Sequence, residues 1–438
     1  MDQQINTPER APEKTPRQIA EEKRAERLKY MRIQRNIRMG AIALAILLSI
    51  VSLCVSCSTK KAVADLAEKI AAKKANQAAL AAEVSASPSA APAVSPSEKP
   101  EDSVSLTLSF VGDVTLASYE GAPYAGSFEE YYDNYGDGYF FQNVRSIFEG
   151  DDLTVANLEG TFTTSTNRVN KEWTFKSDPS YVSILTKAGI DCVNVANNHT
   201  KDYGDESYVD TLAALDKAGI HRFGNDYTTI VEVKGVKIGF SGIYECEDGI
   251  GCKDQAVSNV QKLKNAGAQL IICEFHWGDE NSYTPNDVHT VLAKAVIDEG
   301  ADLVVAHHPH VLQGIATYKG KYICYSLGNF CFGGNSVCRD KDTMIFQQTF
   351  TLVNGEVQDD TDYNIIPCSI STEPTANTYC PTPATGEEAQ RILTKLYDMS
   401  AQLEGGISPK DTDTTGSSLE EAAPAAPAAS PQKQALRL

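Results

Sequence analysis

Between residues 104 and 330 the chain alternates short apolar runs with helix-like stretches, and this alternation restricts the fold more than any other feature. The runs "VSLTLSFVGD", "DLTVAN", "DCVNVANN", "VKIGFSGI", "AQLIICEF", "DLVVAH" and "YICYSLGNF" read as strands. Between them, "DPSYVSILTKAG", "DESYVDTLAALDKAG" and "TPNDVHTVLAKAVIDEG" read as helices, since each opens on Asp or Thr-Pro and closes on glycine, the start and stop chemistry of a helix. Lys234-Gly235, Lys319-Gly320 and Asn354-Gly355 predict tight hairpin turns. Elements in this order give a layered α/β domain with a partly antiparallel sheet. One more amphipathic helix is expected over 386–403.

The flanks lack the composition of a core. Residues 39–57, "MGAIALAILLSIVSLCVSC", are uncharged and apolar over a length that spans a bilayer. The 38 residues before them carry ten Lys/Arg and six Asp/Glu, a basic flank that predicts a cytoplasmic N-terminus and puts everything after residue 57 outside the membrane. The rival readings are a cleaved signal peptide and a lipoprotein processed at Cys54 or Cys57. Against the first stand the long n-region and the want of a small-x-small cleavage site. Residues 58–103 read as an Ala/Lys/Glu-rich helical stalk followed by an extended Pro/Ser/Ala linker. The folded domain is expected at 104–371, a C-terminal extension with a helix at 372–405, and a disordered tail at 406–438.

The whole chain is at −19 and its first 38 residues are at +4, so the exported remainder is at −23. An acidic balance of this size argues against nucleic acid as a partner. Nine of the eleven cysteines follow residue 57. Cys246 with Cys252, Cys331 with Cys338 and Cys368 with Cys380 are candidate disulfides in an oxidising exterior, with the connectivity left open.

Several of the expected strands end in residues able to hold a metal: Asp113, Glu159, Asn198 beside His199, His276, and His308 with His310. Three of the seven histidines stand together in "LVVAHHPHV", where alternation along an extended segment would point His308 and His310 the same way, as two ligands of one metal require. Open sheets gather ligands outside the carboxyl ends of their strands, and hard divalent cations take carboxylate, amide oxygen and imidazole together. Each residue also has a plainer reading: Gly112-Asp113 as a turn, Asn157-Leu158-Glu159 as a helix cap, Asn197-Asn198-His199 as an Asx turn. Jointly they point to a metal site. Trp173, Phe175 and Trp277 read as core or as walls of that site, and His221 and His289 as packed or solvated side chains.

"GDVTL" (112–116), "NLEGTFT" (157–163), "NVANNHTKDYG" (194–204), "FHWGDE" (275–280), "AHHPHVLQG" (306–314) and "YSLGNFCFGG" (325–334) together resemble the CapA family, the poly-gamma-glutamate capsule synthesis proteins, in order and spacing across about 104–371. The family is a branch of the calcineurin-like metallophosphoesterases, so the resemblance implies a four-layer α-β-β-α sandwich with a two-metal site at the strand ends. It implies Asp113 and His310 as ligands of a first metal, Glu159 as the bridging carboxylate, and Asn198, His276 and His308 as ligands of a second. His199 falls where a leaving group is protonated, with Asp202 holding it. Asp113-Val114-Thr115 stands where the wider superfamily carries Asp-x-His, which leaves the first metal one protein ligand short. Ala306 replaces a usual Gly, a minor change.

The expected cofactors are one or two divalent ions, Mn, Fe, Zn or Mg. With two, the implied chemistry is in-line attack of a metal-activated water on a phosphoryl centre with acid assistance from His199; with one, Lewis-acid polarisation of an amide or phosphate oxygen. The resulting expectation is a membrane-anchored, extracytoplasmic bacterial protein that serves synthesis, export or attachment of an anionic capsule polymer, with that polymer or its membrane synthesis complex as partner. A free-standing metal-dependent hydrolase of phosphoester or peptide-like bonds, and a non-catalytic scaffold of the synthesis complex, are the competing readings.

Overall fold

The strand expected at the start of the domain forms and extends beyond its expected end, as β1 (Ser103–Thr115). The computed structural model describes residues 103–409 apart from 338, 360 and 361. The expected membrane span, stalk, linker as far as 102 and tail from 410 lie outside the described residues, among which no helix is long and apolar enough to cross a membrane. After β1 come α1 (Phe128–Tyr135), α2 (Arg145–Gly150), β2 (Leu153–Leu158), the short pair β3 (Thr161–Phe162) and β4 (Lys176–Ser177), α3 (Val182–Ala188), β5 (Cys192–Asn194), α4 (Gly204–Ala218) and β6 (His221–Phe223). A second run holds β7 (Thr229–Val233), β8 (Val236–Tyr244), α5 (Lys253–Asn265), β9 (Leu270–His276), α6 (Asp287–Glu299), β10 (Leu303–His307), β11 (Ile315–Tyr318) and β12 (Lys321–Cys324). The chain then returns through β13 (Asn329–Phe332), β14 (Asp342–Val353), β15 (Glu356–Val357), β16 (Tyr363–Ser369), β17 (Thr382–Pro383) and α7 (Gly386–Ser400).

These strands make two large sheets. One runs β17-β16-β14-β1-β2-β5-β6, with β13 also beside β1 and β15 beside β14; the other runs β11-β12-β10-β9-β8-β7. All three glycine turns close hairpins, with left-handed φ of 50° at Lys234, 50° at Lys319 and 54° at Asn354, followed by glycine each time. The expected helices form as α3, α4, α6 and α7, the first three stopped by Gly189, Gly219 and Gly300 at positive φ.

Burial on both faces explains the continuous apolar runs. Leu270 and Ile272 of β9 and Leu303 and Val305 of β10 face Leu106, Leu108 and Phe110 of β1 in a core between the sheets, while Ile271, Cys273, Val304 and Ala306 face α5 and α6 outside. On the other outer face Ala156 and Val193 pack under α3 and α4. Helix α7 adds Ile392, Leu393 and Leu396 to the inter-sheet core beside β11 and β16.

Two expectations need correcting. "YICYSLGNF" is not one strand: β12 ends at Cys324 in one sheet and β13 begins at Asn329 in the other. The chain crosses at Gly328, φ 70°, whose carbonyl accepts from Asp113 N at 2.9 Å and lies so near Gly112 that a Cβ there would sit 1.9 Å from it. Among the described residues, Cys246, Cys252, Cys368 and Cys380 are free thiols, so neither of those two candidate disulfides forms; Cys331 is also free, and Cys338 lies outside the described residues. Cys331 and Cys380 instead direct their Sγ to the carbonyls of Tyr379 and Tyr139.

Candidate metal centre

The core between the sheets changes character at the C-terminal ends of its strands. The alternation that places Leu153 and Val155, Leu270 and Ile272, and Leu303 and Val305 inside continues to Asn157, to Glu274 and His276, and to His307. Because β1, β2 and β5 in one sheet, and β8, β9 and β10 in the other, run parallel to one another, these polar ends and the loops after them collect at one edge. At that edge the pairing of β1 slips on both sides of Asp113, an irregularity of the kind that re-aims a side chain.

Two groups of donor atoms meet there. Nε2 of His276 lies 2.8 Å from Asn198 Oδ1, 3.0 Å from His308 Nδ1 and 3.5 Å from Glu159 Oε1. Nδ1 of His310 lies 3.0 Å from Asp113 Oδ2 and 2.9 Å from Asn329 Oδ1, with its Nε2 3.8 Å from the same Glu159 oxygen. Asn157 Nδ2 donates to Asp113 Oδ1 at 2.8 Å and fixes that carboxylate. Glu159, His308 and His310 offer ligand atoms all within 4.8 Å of one another. The structure therefore brings Asp113, Glu159, Asn198, His276, His308 and His310 into one cluster around Glu159.

This donor set fits a divalent cation. Glu159 is fully buried, yet neither carboxylate oxygen has a hydrogen-bond partner among the described residues, a costly state that a cation relieves. Burial holds its carboxyl well above the ordinary carboxylate range. Burial, with the neighbouring imidazoles, holds His276 and His308 well below the usual histidine value, so both present lone pairs. His310 goes the other way: burial alone would depress it, but the carboxylates of Glu159 and Asp113 raise it, which marks a point where positive charge is favoured. Carboxylate, amide oxygen and imidazole in this mixture suit Mn, Fe, Zn or Mg.

Beside the cluster stands a second unit. His199 Nδ1 donates to Asp202 Oδ2 at 2.6 Å, and Phe175 N donates to the same oxygen at 2.7 Å. With Nδ1 engaged, Nε2 is the open nitrogen, 3.9 Å from Glu159 Oε1. Lys171 Nζ reaches Asp202 Oδ1 at 3.1 Å and the Asn198 carbonyl at 2.7 Å, so it holds both the pair and the loop that presents Asn198. Burial lowers the His199 pKa despite the opposing pull of Asp202. The unit opens on a cleft of about 370 Å³ lined by Lys171, Trp173, Phe175, His199, His310 and Arg339 among others. Trp173 is an exposed wall, Phe175 packs on His199 with centroids 4.5 Å apart, and Trp277 is fully buried core.

The histidine pair converges, but not along the extended backbone expected for it. β10 stops at His307; His308 and His310 have φ of 96° and 58°, a turn around Pro309 rather than an extended segment. Left-handed backbone at two non-glycine residues costs on the order of 1–3 kcal/mol each, strain that collects at functional sites. It is His307 that follows the strand alternation. Its Nε2 lies 3.3 Å from Glu274 Oε2 and its Nδ1 3.7 Å from Asp113 Oδ1, deep behind the cluster. Sequence reasoning also passed over Asn157 and Asn329, inside quoted motifs, and Lys171, which sits in a loop without periodicity. Thr115, where the superfamily has His, is fully buried with no hydrogen-bond partner for its hydroxyl among the described residues.

His289 lies outside the cluster, stacked on Trp277 at 4.7 Å and closing a capping box with Asn286 at the start of α6. Burial lowers its pKa to about 4. The unfolded chain, with an ordinary histidine near 6.5, binds the proton first as pH falls, so this stability is present above pH 6.5 and lost towards pH 4. The loss is on the order of 2–3 kcal/mol. Urea unfolding at pH 7 and 4.5 is expected to show a smaller acid loss for His289→Gln, which keeps a capping side chain, than for the parent.

Residues 107–334 match the family described as "Bacterial capsule synthesis protein PGA_cap". The chain is 30% identical over 272 residues to the "Capsule biosynthesis protein CapA" of Bacillus anthracis, covering 56% of this chain and 64% of that one. It is 31% identical over 264 residues to the "PGA biosynthesis protein CapA" of Bacillus subtilis (strain 168), covering 55% and 67%. A probable polyglutamine synthesis accessory protein of Mycobacterium tuberculosis is 28% identical over 209 residues, covering 41% and 55%. The chain thus spans about two thirds of the length of the Bacillus relatives it matches.

Proposed function

The chain belongs to the bacterial capsule synthesis protein family, and from this premise we propose that it is a membrane-anchored cell-envelope protein that serves synthesis, export or attachment of an anionic polymer such as poly-gamma-glutamate. Its domain is read as a metallophosphoesterase-like sandwich with a metal-dependent site. The observation that carries the reading is the meeting of six potential ligands, drawn from five separate stretches of sequence, around the carboxylate of Glu159, which has no hydrogen-bond partner among the described residues. Nucleic acid is not a partner in this reading; the polymer or its membrane synthesis complex is.

Glu159, Asn198, His276 and His308 would hold one divalent cation, and Asp113 and His310, with Glu159 between, a second. Bound there, such ions supply Lewis-acid polarisation and lower the pKa of water. The chain's own residues do the rest. Asp202 fixes the tautomer and ring orientation of His199, which moves a proton at Nε2 facing the cluster. Lys171 puts a positive charge at the mouth for an anionic group, and Phe175 keeps water from the face of His199.

The test is genetic. Deletion in the native host is expected to remove or shorten surface polymer, with restoration by the parent gene and none by a gene carrying His308→Ala and His310→Ala. Unchanged polymer after deletion would sink the reading. Restoration by the variant would keep the envelope role and select the scaffold, which Thr115 in place of a ligand favours.

A further inference from the structure

The stretch "YSLGNFCFGG" has no part in the ligand set that the resemblance supplies, yet it delivers a side chain to the cluster. Building on the metal reading above, we infer that Asn329 completes the site at Asp113 and His310: its Oδ1 is a further protein donor to the cation there, beside Asp113, His310 and Glu159, in place of the imidazole that Thr115 does not provide. Strand β13 runs parallel to β1 with Asn329 directly across from Asp113, and Asp113 N bonds Gly328 O, so the two side chains leave adjacent strands at the same level. The amide orientation is set by the backbone: Asn329 Nδ2 donates to the carbonyl of His310 at 3.3 Å, which turns Oδ1 to the imidazole.

The geometry at His310 Nδ1 then has one atom too many for a hydrogen bond. Asn329 Oδ1 at 2.9 Å and Asp113 Oδ2 at 3.0 Å both face a nitrogen that carries a single hydrogen at most. Neither oxygen can donate. A cation among the three atoms serves all of them, and Asn329, 7% exposed, lines the cleft through which a cation can arrive. The donor set is the carboxylates of Asp113 and Glu159, one amide oxygen and one imidazole. That is harder than the two-imidazole set at His276 and His308, and it favours Mn or Mg over Zn at this position.

The test uses the full-length chain in detergent, stripped with a chelator and titrated with Mn²⁺ by calorimetry, with bound metal counted by mass spectrometry. The parent is expected to take two equivalents. Asn329→Ala is expected to keep one and to bind the other at least about tenfold more weakly. Asn329→Asp, which retains an oxygen, is expected to restore two. Two equivalents of unchanged affinity in Asn329→Ala overturn the inference, as does one equivalent in the parent that Asn329→Ala leaves untouched. Failure of Asn329→Asp to restore binding overturns it too, since the asparagine would then act only as a brace. No uptake by the parent overturns the metal reading itself, a separate and visible failure.

Discussion

A full-length chain carrying His308→Ala and His310→Ala is expected to hold no tightly bound divalent metal, against two equivalents in the parent. His308 is one of two imidazoles 3.0 Å apart at Asn198 and Glu159, and His310 sets its Nδ1 between Asp113 and Asn329, so each half of the cluster loses a nitrogen donor. Loss even of groups that only orient ligands costs about 10- to 100-fold in affinity, and a ligand itself more. Stability should move with it. Ligand present at 100 times Kd adds about 2.7 kcal/mol to the folded state, so the parent's melting temperature should rise with added metal and fall with chelator while the double variant's does neither. Element analysis with melting curves reads both effects; full metal content in the variant would mean that the histidines only shape the turn.

The second large effect concerns turnover. On a chromogenic phosphodiester, His199→Gln is expected to lower kcat by about 10²- to 10⁴-fold, the range for a positioned proton donor or acceptor, with metal content unchanged. Asp202→Asn is expected to lose much of the same activity, because an amide can accept from Nδ1 but no longer balances charge on the ring. Burial already lowers the His199 pKa, and nearby cations lower it further. If the protonated ring is the active form, kcat must fall as pH rises through a value below 6.5, and that limb must vanish in His199→Gln. A limb that survives the substitution would assign the proton to another group.

The elements legible in advance were those whose signal is local. Helices α3, α4 and α6 announce their C-terminal ends in sequence through Gly189, Gly219 and Gly300, and three hairpins are written in their glycine turns. Buried strands were visible as apolar runs, but not their sheet, so "YICYSLGNF" read as one strand where Gly328 carries the chain from one sheet to the other. The same blindness hid half of the cluster's surroundings. Asp113, Glu159, Asn198, His276, His308 and His310 could be named because their residue types are metal ligands at strand ends. Asn329, Asn157 and Lys171 act through contacts with residues 19, 44 and 31 positions away, which no periodicity encodes. Short unpaired cysteine spacings misled for a related reason: nearness in sequence said nothing about which way each thiol points.

The place of β1 has a consequence for how the molecule comes into being. One neighbour, β2, bonds it at Asp113 across 44 residues, whereas the other side waits for Thr349, 242 residues later, and for His310, 197 residues later. A ribosome-bound chain that has passed only β2 holds a central strand with one edge bare and a cluster without its imidazoles. Closing loops of that length before any contact rewards them makes for slow, late assembly. The domain is therefore expected to mature after synthesis, as one event, and a truncated chain ending before residue 310 to persist as an aggregation-prone fragment.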